Sequence, residues 1–370
     1  MTTPVSLVIA SFDEGPDLEA TVALARASDP APAEIIVVDD WSSEPVDARL
    51  SGWKDVRVVR PPERLGAGPA KAYGAHAAEG ELIVLMDAHL RFEQDWLRTA
   101  LDAHSRYPVS ILCGVSTGFT SAETFQGAGA RFVRRGDLGL DLDWLGPRDP
   151  AMVDLIPAVL GGCYFIPRSV WSVLGGLNPN LDGWGCEEQD LSLRAWACGY
   201  DCRCINSLKI AHNYRRKNLG GARNDKATWH ALYNSLVVAA TVFEEGVFEK
   251  HFRPFTKFLN PTHAYKALAK FDSRHDQILT FRERVQSQRR FDDSELLALI
   301  GYSFPSVHSV LASRDHDQMR LDEVAKAQSN DQEQIRKQDE EIRARIESGA
   351  CVPCGGRSVA HADPSELPKV

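Results

Sequence analysis

Two short segments of this sequence carry side chains that can share a divalent cation. Asp87 and His89 follow an apolar run and are separated by one residue, so on an extended segment their side chains project to the same side. Taken alone, this spacing is more often a capping carboxylate beside an unrelated histidine. His212 ends a second short apolar run and supplies a third ligand. A mixed oxygen and nitrogen site fits Mn²⁺, or less comfortably Mg²⁺, better than a cysteine-rich zinc site.

A second group of reactive side chains opens a predicted helix. Its three acids are Glu187, Glu188 and Asp190, preceded by Trp184. Leu191, Arg194 and Ala195 follow at helical spacing, which places the acids in the first turn. Acids stabilise a helix N-terminus by themselves. Three acids and a tryptophan at the mouth of a loop exceed what capping needs, so we interpret them as catalytic candidates.

The elements that must position these residues are the strands of an α/β sheet. Apolar, β-branched runs alternate with helix-like stretches, a pattern typical of buried parallel strands. The four predicted strands are Val5–Ala10, Glu34–Asp40, Val56–Val59 and Glu81–Asp87. Ligands of open α/β sheets bind at the carboxyl ends of the strands. We therefore expect Asp39, Asp40 and Asp87 to converge on one crevice.

A glycine-rich turn lies between the third and fourth strands, from Arg64 to Lys71. Gly66 and Gly68 permit close approach of a ligand to the backbone, and the N-terminus of the helix that follows favours an anion. The turn is neither the dinucleotide fingerprint nor a Walker loop. By itself it is a weak signal.

The rest of the chain is less regular. Strand fragments are predicted at Ser110–Gly114 and Val153–Leu160, a long helix at Ala227–Glu245, and beyond residue 250 short helices broken by prolines. The very polar stretch Asp315–Glu347 predicts an exposed or oligomer-forming helix, through which the chain would form a homo-oligomer.

Composition excludes several classes of function. The 370 residues carry 42 Lys and Arg against 51 Asp and Glu, a net charge of -9, so we expect no nucleic acid as partner. The N-terminus lacks the features of a signal peptide, and the longest uncharged stretch is too polar for a bilayer span. Eight cysteines without an export signal predict reduced thiols. Together these features predict a cytoplasmic protein.

The order of these motifs resembles GT-A-fold glycosyltransferases, most closely the polypeptide N-acetylgalactosaminyltransferase type. The resemblance runs from residue 5 to about 245. Its most specific parts are Asp-Ala-His after an apolar strand, Trp-Gly-x-Glu followed by Leu-Ser-x-Arg-x-Trp-x-Cys-Gly, and the histidine at 212. It implies a GT-A (Rossmann-like) α/β fold, a mixed, mostly parallel sheet flanked by helices, to which the sequence adds a C-terminal helical extension.

The resemblance also implies roles for individual residues. Asp87, His89 and His212 would hold a metal, usually Mn²⁺, on the diphosphate of a UDP-sugar. Those implied to lie along the nucleotide and diphosphate are Ser11, Asp39, Asp40, Gly66, Lys71 and Arg215. Trp184 and Glu187 would line the sugar and acceptor side. The acceptor would be a hydroxyl, or a thiol, on a peptide, a glycan or a small molecule.

Two stereochemical outcomes are open. The family most resembled retains the anomeric configuration without a dedicated base, whereas in inverting GT-A enzymes a carboxylate near this helix start is the general base. Inversion would make Glu188 or Asp190 that base. A non-catalytic nucleotide-sugar-binding protein is the alternative from another class, although all the metal positions and the Glu187 position are filled.

The chain departs from the family pattern after the predicted core. We expect residues 1–115 to form the nucleotide-sugar half, 116–245 the acceptor half, and 246–370 a helical extension with a flexible tail. That extension stands where the family carries a lectin-like domain, and no transmembrane anchor is expected. The family pairs a cysteine at the position of Cys198 with one that is Ser207 here, so the matching disulfide cannot form.

Overall fold

Runs of Val, Ile and Leu form the strands of one large sheet in the computed structural model, which describes residues 3–119, 126–135, 139–160, 162–213, 223–253 and 261–299. The strands are β1 (Val5–Ser11), β2 (Glu34–Asp39), β3 (Val56–Val59), β4 (Leu82–Asp87), β5 (Leu90–Phe92), β6 (Ile111–Gly118), β7 (Gln126–Gly127), β8 (Ala130–Arg135), β9 (Gly139–Trp144), β10 (Val153–Leu155), β11 (Cys163–Pro167) and β12 (Cys202–His212). The predicted strands at residues 5, 34, 56 and 81 are confirmed.

Helices cover the sheet and follow it at the C-terminal end. They are α1 (Pro16–Arg26), α2 (Val46–Leu50), α3 (Ala67–His76), α4 (Trp96–Arg106), α5 (Arg168–Leu174), α6 (Glu187–Ala197), α7 (Arg223–Val242), α8 (Glu245–Val247), α9 (Pro261–Ser273), α10 (His275–Gln288) and α11 (Asp293–Leu299). A π-helical turn follows α8 at Phe248–Phe252. All described residues belong to one unit, Met1–His316.

The sheet is mixed, as predicted. Its order is β10-β12-β6-β11-β4-β1-β2-β3, with β5 paired to β12 and β7 to β6. β4, β1, β2 and β3 are parallel neighbours, β6 and β12 form a second parallel pair, and β11 runs antiparallel between β4 and β6. The carboxyl ends of β1, β2 and β4 therefore lie side by side.

Side-chain alternation along β1 packs both faces of the sheet. Leu7 and Ile9 join a fully buried apolar cluster with α1 and α4, while Val8 points to α3. A Cβ atom at Gly74 of α3 would lie 2.5 Å from Val8 Cγ1. The absence of that atom lets α3 lie directly on the sheet, which fixes the glycine-rich turn at its N-terminus.

Two parts of the sequence prediction differ from the structure. The predicted strand at Val153–Leu160 ends at Leu155, since Pro157 lacks the N–H that a ladder requires. Residues 111–160, where only strand fragments are predicted in an otherwise irregular segment, contain the hairpin β8–β9, which forms a separate two-stranded sheet.

The long helix α7 anchors the C-terminal helices. Buried Phe271 of α9, Ile278 of α10 and Leu296 of α11 give this region an apolar interior. Among the described residues no helix is long and apolar enough to cross a membrane. The six described cysteines are free thiols. The polar stretch Asp315–Glu347 lies outside the described residues, so self-association through it stays a prediction, as do the two predicted boundaries between the three domains.

Candidate functional site

Asp87, His89 and His212 come together at the edge of the sheet where β4 ends. Each offers a ligand atom, and these atoms all lie within 4.8 Å of one another. His212 Nε2 is 3.1 Å from Asp87 Oδ2, and the two imidazole rings are 4.8 Å apart. The antiparallel pairing of β5 with β12 sets His212 opposite Leu90, which brings it next to His89 despite the distance along the chain.

A glycine makes room for this group. Gly162 has φ +86°, and a Cβ there would lie 2.8 Å from His212 Cδ2 and 3.3 Å from Asp87 Oδ2. Its carbonyl accepts the backbone N–H of Asp87 at 2.7 Å. Glycine at position 162 therefore has a steric reason, because the Cβ of any larger residue would crowd His212 and Asp87, two of the three candidate ligands.

Lys71 is paired with Asp87. The buried ammonium lies 2.5 Å from Asp87 Oδ1. Burial opposes ionisation of Asp87, but Lys71 and the hydrogen bond from His212 hold the pKa of this carboxyl well below its ordinary value. Burial likewise disfavours the charged lysine, yet Asp87, Glu187 and Glu188 raise the pKa of Lys71 above its usual value. Asp87 is thus a carboxylate and Lys71 an ammonium.

Asp40 orders the glycine-rich turn. Its carboxylate accepts the backbone N–H of Leu65 at 2.7 Å and that of Gly66 at 2.9 Å. Gly66 has φ +90°, and a Cβ there would approach the carbonyl oxygen of Gly183 to 3.0 Å. The turn predicted to meet a diphosphate therefore touches the loop that precedes α6.

Asp39 and Ser11 lie beside an open pocket. Asp39 accepts the N–H of Ser42 at 2.8 Å and lies 3.4 Å from Arg60. The pocket has a volume of about 110 Å³, and Ser11 and Ser42 are among its lining residues. Ser11 is 2% exposed, and its hydroxyl has no hydrogen-bond partner within the described part of the chain. A buried, unpaired hydroxyl at a pocket wall is suited to a ligand hydrogen bond.

The first turn of α6 lies against the donor side of the crevice. Glu187 Oε2 accepts the N–H of Gly185 at 2.9 Å, and a Cβ at Gly68 would lie 3.0 Å from Glu187 Cγ. Glu188 Oε1 accepts the phenolic O–H of Tyr164 at 2.6 Å. Burial first, and then the neighbouring charge of Glu188, raises the pKa of Glu187 to about 7, against the opposing effect of Lys71.

Asp190 faces away from the crevice. It is fully buried. Its Oδ2 accepts a hydrogen bond from Arg194 Nε at 2.8 Å, and its Oδ1 accepts one from the Asn178 side-chain amide at 2.9 Å. Both oxygens are engaged in the interior, so we leave Asp190 out of the proposed catalytic set. The spacing of four residues between Asp190 and Arg194 is typical of a helical ion pair. This spacing was the signal in the sequence for a structural role of Asp190.

The loop before α6 is held by residues that sequence analysis did not single out. Asn234 of α7 accepts the N–H of Asp182 at 2.8 Å and donates to the carbonyls of Asp182 and Gly185 at 2.9 and 2.8 Å. Lys270 of α9 forms an ion pair with the Asp182 carboxylate. Trp184 projects from this braced loop and is 61% exposed. No local pattern predicts these long-range contacts.

Arg215 and the basic residues beside it lie outside the described residues. The structure therefore leaves the predicted contact of Arg215 with a diphosphate as a prediction. The roles assigned above to the remaining site residues likewise stay predictions, now with defined positions.

Glu187 gives the stability of the protein a distinct dependence on pH. A carboxyl whose pKa rises from 4.5 to about 7 on folding binds its proton more tightly in the native state. Its contribution to stability is present below pH 4.5 and is lost as the pH rises through 7. We expect Glu187→Gln to raise the melting temperature, relative to the unmodified protein, more at pH 8.5 than at pH 5.5.

Calorimetry at the two pH values measures this difference. The exposed Glu93 provides the control, since Glu93→Gln removes the same charge from a carboxylate that lies in solvent and not in the interior. An equal effect of Glu187→Gln at both pH values would contradict the raised pKa.

Comparison with known proteins finds similarity over part of the chain. Residues 6–150 match Glycosyl transferase family 2. The chain is 29% identical over 230 residues to polypeptide N-acetylgalactosaminyltransferase 10 of Rattus norvegicus, covering 57% of this chain and 38% of that protein. It is also 29% identical over 196 residues to polypeptide N-acetylgalactosaminyltransferase 14 of Homo sapiens, covering 50% and 35%. The chain thus spans well under half the length of these relatives.

A solved structure shows the same fold. The crystal structure of GalNAc-T7 with UDP, GalNAc and Mn²⁺ superposes with a TM-score of 0.66 at 22% identity, covering 82% of this chain and 59% of the other. At this identity the likeness is one of fold, and it confirms the predicted GT-A architecture. The resemblance inferred from the motifs is confirmed as a distant similarity over about half the chain. The chain thus carries, over residues 6–150, a match to Glycosyl transferase family 2, and its sheet has a GT-A-like fold.

Proposed function

We propose that this protein transfers a sugar from a UDP-sugar to an acceptor hydroxyl, using a divalent metal held by Asp87, His89 and His212. The observation that carries the proposal is the meeting of these three side chains within 4.8 Å at the carboxyl end of β4, next to the glycine-rich turn. Relatives named as N-acetylgalactosaminyltransferases support a hexose or N-acetylhexosamine donor.

The donor set fits the proposed metal. One carboxylate and two imidazoles suit Mn²⁺, with Mg²⁺ as a poorer substitute. A bound Mn²⁺ would act as a Lewis acid that neutralises charge on a departing diphosphate. The two imidazoles contribute no charge when neutral, and the ammonium of Lys71 balances the carboxylate of Asp87. These four side chains therefore carry no net negative charge that would repel an anionic donor.

Other side chains and backbone groups around the metal site would bind the remaining parts of the donor and the acceptor. The glycine-rich turn, fixed by Asp40, presents the N-terminus of α3 to an anion. Ser11 lines the pocket in which the nucleotide end of the donor would lie, and Asp39 holds Ser42 at the wall of the same pocket. Trp184, on the loop before α6, and Glu187, in the first turn of α6, face the glycine-rich turn, where the sugar and the acceptor would meet. Aligned placement of donor and acceptor lowers the barrier by itself.

We propose retention of the anomeric configuration. Asp190 is engaged with Arg194 and Asn178, and Glu188 accepts a hydrogen bond from Tyr164, so neither candidate base of the inverting alternative is a freely held carboxylate. In a retaining transfer the departing diphosphate helps to take the acceptor proton, and no protein base is required. The acceptor on a peptide, glycan or small molecule, and a cytoplasmic location, are part of the same proposal.

A donor screen tests the proposed activity. The full chain is incubated with Mn²⁺ and each of several UDP-hexoses and UDP-N-acetylhexosamines, and released UDP is measured. We expect release from a subset of donors, loss of release with EDTA, and recovery on adding Mn²⁺. Binding of UDP-sugars without release on water or any acceptor would instead support a non-catalytic nucleotide-sugar-binding protein. Proton NMR of a transferred sugar then distinguishes retention from inversion.

A further inference from the structure

Glu14 lies beside the metal site although it is not one of the three candidate ligands. It belongs to the short connection between β1 and α1, and its Oε2 is 3.0 Å from His89 Nδ1. The Glu14 side chain is 13% exposed and that of His89 18%. The contact is therefore shielded from water on most sides, where a hydrogen bond to a carboxylate is strong.

The backbone around Glu14 is fixed. Its two neighbours, Asp13 and Gly15, have φ of +53° and +57°. Asp13 Oδ1 accepts the backbone N–H of Ser43 at 2.7 Å and its O–H at 2.8 Å, while Asp13 N donates to Ser42 Oγ at 3.2 Å. The connection is thus tied to the segment that follows β2. Glu14 reaches His89 from a defined position rather than from a loose loop.

The chemistry of imidazole gives this contact a consequence. A neutral histidine carries its proton on one ring nitrogen and presents a lone pair on the other. A carboxylate at Nδ1 favours the tautomer with the proton on Nδ1, because that N–H can donate to it. The lone pair is then on Nε2, the nitrogen available to a cation. Carboxylates that accept from a metal-bound histidine typically contribute a factor of about 10 to 100 in metal affinity.

We infer that Glu14 is a positioning residue of the metal site, which sets the tautomer and the ring orientation of His89 so that Nε2 faces the cation. This inference rests on the proposed metal dependence. It assigns no direct contact between Glu14 and the donor, the acceptor or the metal. This role accounts for an acid in the β1–α1 connection that is turned toward His89 and not toward solvent.

Manganese titration of the full chain tests this role without any turnover. Free Mn²⁺ is followed by its electron paramagnetic resonance signal for the unmodified protein, Glu14→Gln and the control Glu93→Gln. Glu93 is exposed and lies a few residues beyond His89, so its variant removes the same charge from the same region. We expect Glu14→Gln to weaken binding about 10- to 100-fold, and Glu93→Gln to bind within twofold of the unmodified protein.

Two further measurements separate the outcomes. Nitrogen-15 NMR of histidine-labelled apoprotein, assigned with His89→Ala, should show protonated Nδ1 at His89. Circular dichroism checks that Glu14→Gln is folded. Unprotonated Nδ1 in the unmodified protein, or a folded Glu14→Gln that binds Mn²⁺ within twofold of it, would overturn the role of Glu14 alone. Absence of Mn²⁺ binding in the unmodified protein would overturn the proposed metal dependence and this inference with it.

Discussion

Asp87→Asn is expected to abolish both Mn²⁺ binding and release of UDP from a UDP-sugar. The carboxylate has one oxygen 2.5 Å from Lys71 and the other 3.1 Å from His212, and asparagine supplies one oxygen and no charge. A metal that neutralises a leaving diphosphate contributes several kcal/mol to the transition state. We therefore expect a loss of at least about 10³-fold in UDP release, equivalent to about 4 kcal/mol.

The measurement is UDP release by Asp87→Asn beside Mn²⁺ titration of the same variant. Asp55→Asn is the control, because Asp55 forms an exposed ion pair with Arg26, which contributes little, and we expect its activity within twofold of the unmodified protein. A folded Asp87→Asn that retains tight Mn²⁺ binding would remove Asp87 from the ligand set. Loss of UDP release with Mn²⁺ binding intact would assign Asp87 to the donor instead.

Among the substitutions considered, Asp190→Asn is expected to cause the largest decrease in the free energy of unfolding. Asp190 and Arg194 are both fully buried, and Arg194 also donates to the carbonyl of Leu174 at 2.7 Å. Removing the carboxylate leaves a buried guanidinium without its counter-charge. Breaking a buried ion pair on one side costs about 3–5 kcal/mol, a large share of the roughly 5–15 kcal/mol that stabilises a typical domain.

Urea unfolding measures this loss, and an exposed pair provides the matched control. Glu249 and Arg253 have the same spacing of four but lie in solvent, so Glu249→Gln should cost less than about 1 kcal/mol. Asp190→Leu combined with Arg194→Met should regain most of the stability, because it removes both charges. We expect this double variant to keep its turnover. Its loss at full stability would return Asp190 to the catalytic set as a base.

The strands and the pairing of Asp87 with His89 could be predicted because both follow from short-range patterns, whereas the inclusion of His212 depended on the motif resemblance. Uninterrupted β-branched runs mark β2 and β4, and the carboxyl ends of parallel strands share one edge. The direction in which each acidic side chain of the first turn of α6 points could be predicted less accurately. Successive helical residues differ by about 100°, so Glu188 and Asp190 occupy different faces although the sequence groups them together.

The remaining residues of the site depend on contacts between distant parts of the chain. Tyr164 reaches Glu188 from β11, and Glu14 reaches His89 from the end of β1. No periodicity signals such a pair. The position of Glu14, three residues after the end of β1, was nevertheless a usable signal, since acids at strand ends had already pointed to Asp39, Asp40 and Asp87.

Lys270 has a consequence for engineering of the chain. The motif resemblance ends near residue 245, yet α9 supplies the ammonium that pairs with Asp182 at the base of the Trp184 loop. A module cut at 245 would lose that tether and uncover the face of α7 against which α9 packs. The end of the motif resemblance and the end of the segment that can be exchanged as a folded module therefore lie at different residues. Chimeras that graft another C-terminal domain onto this domain should keep the chain through α11.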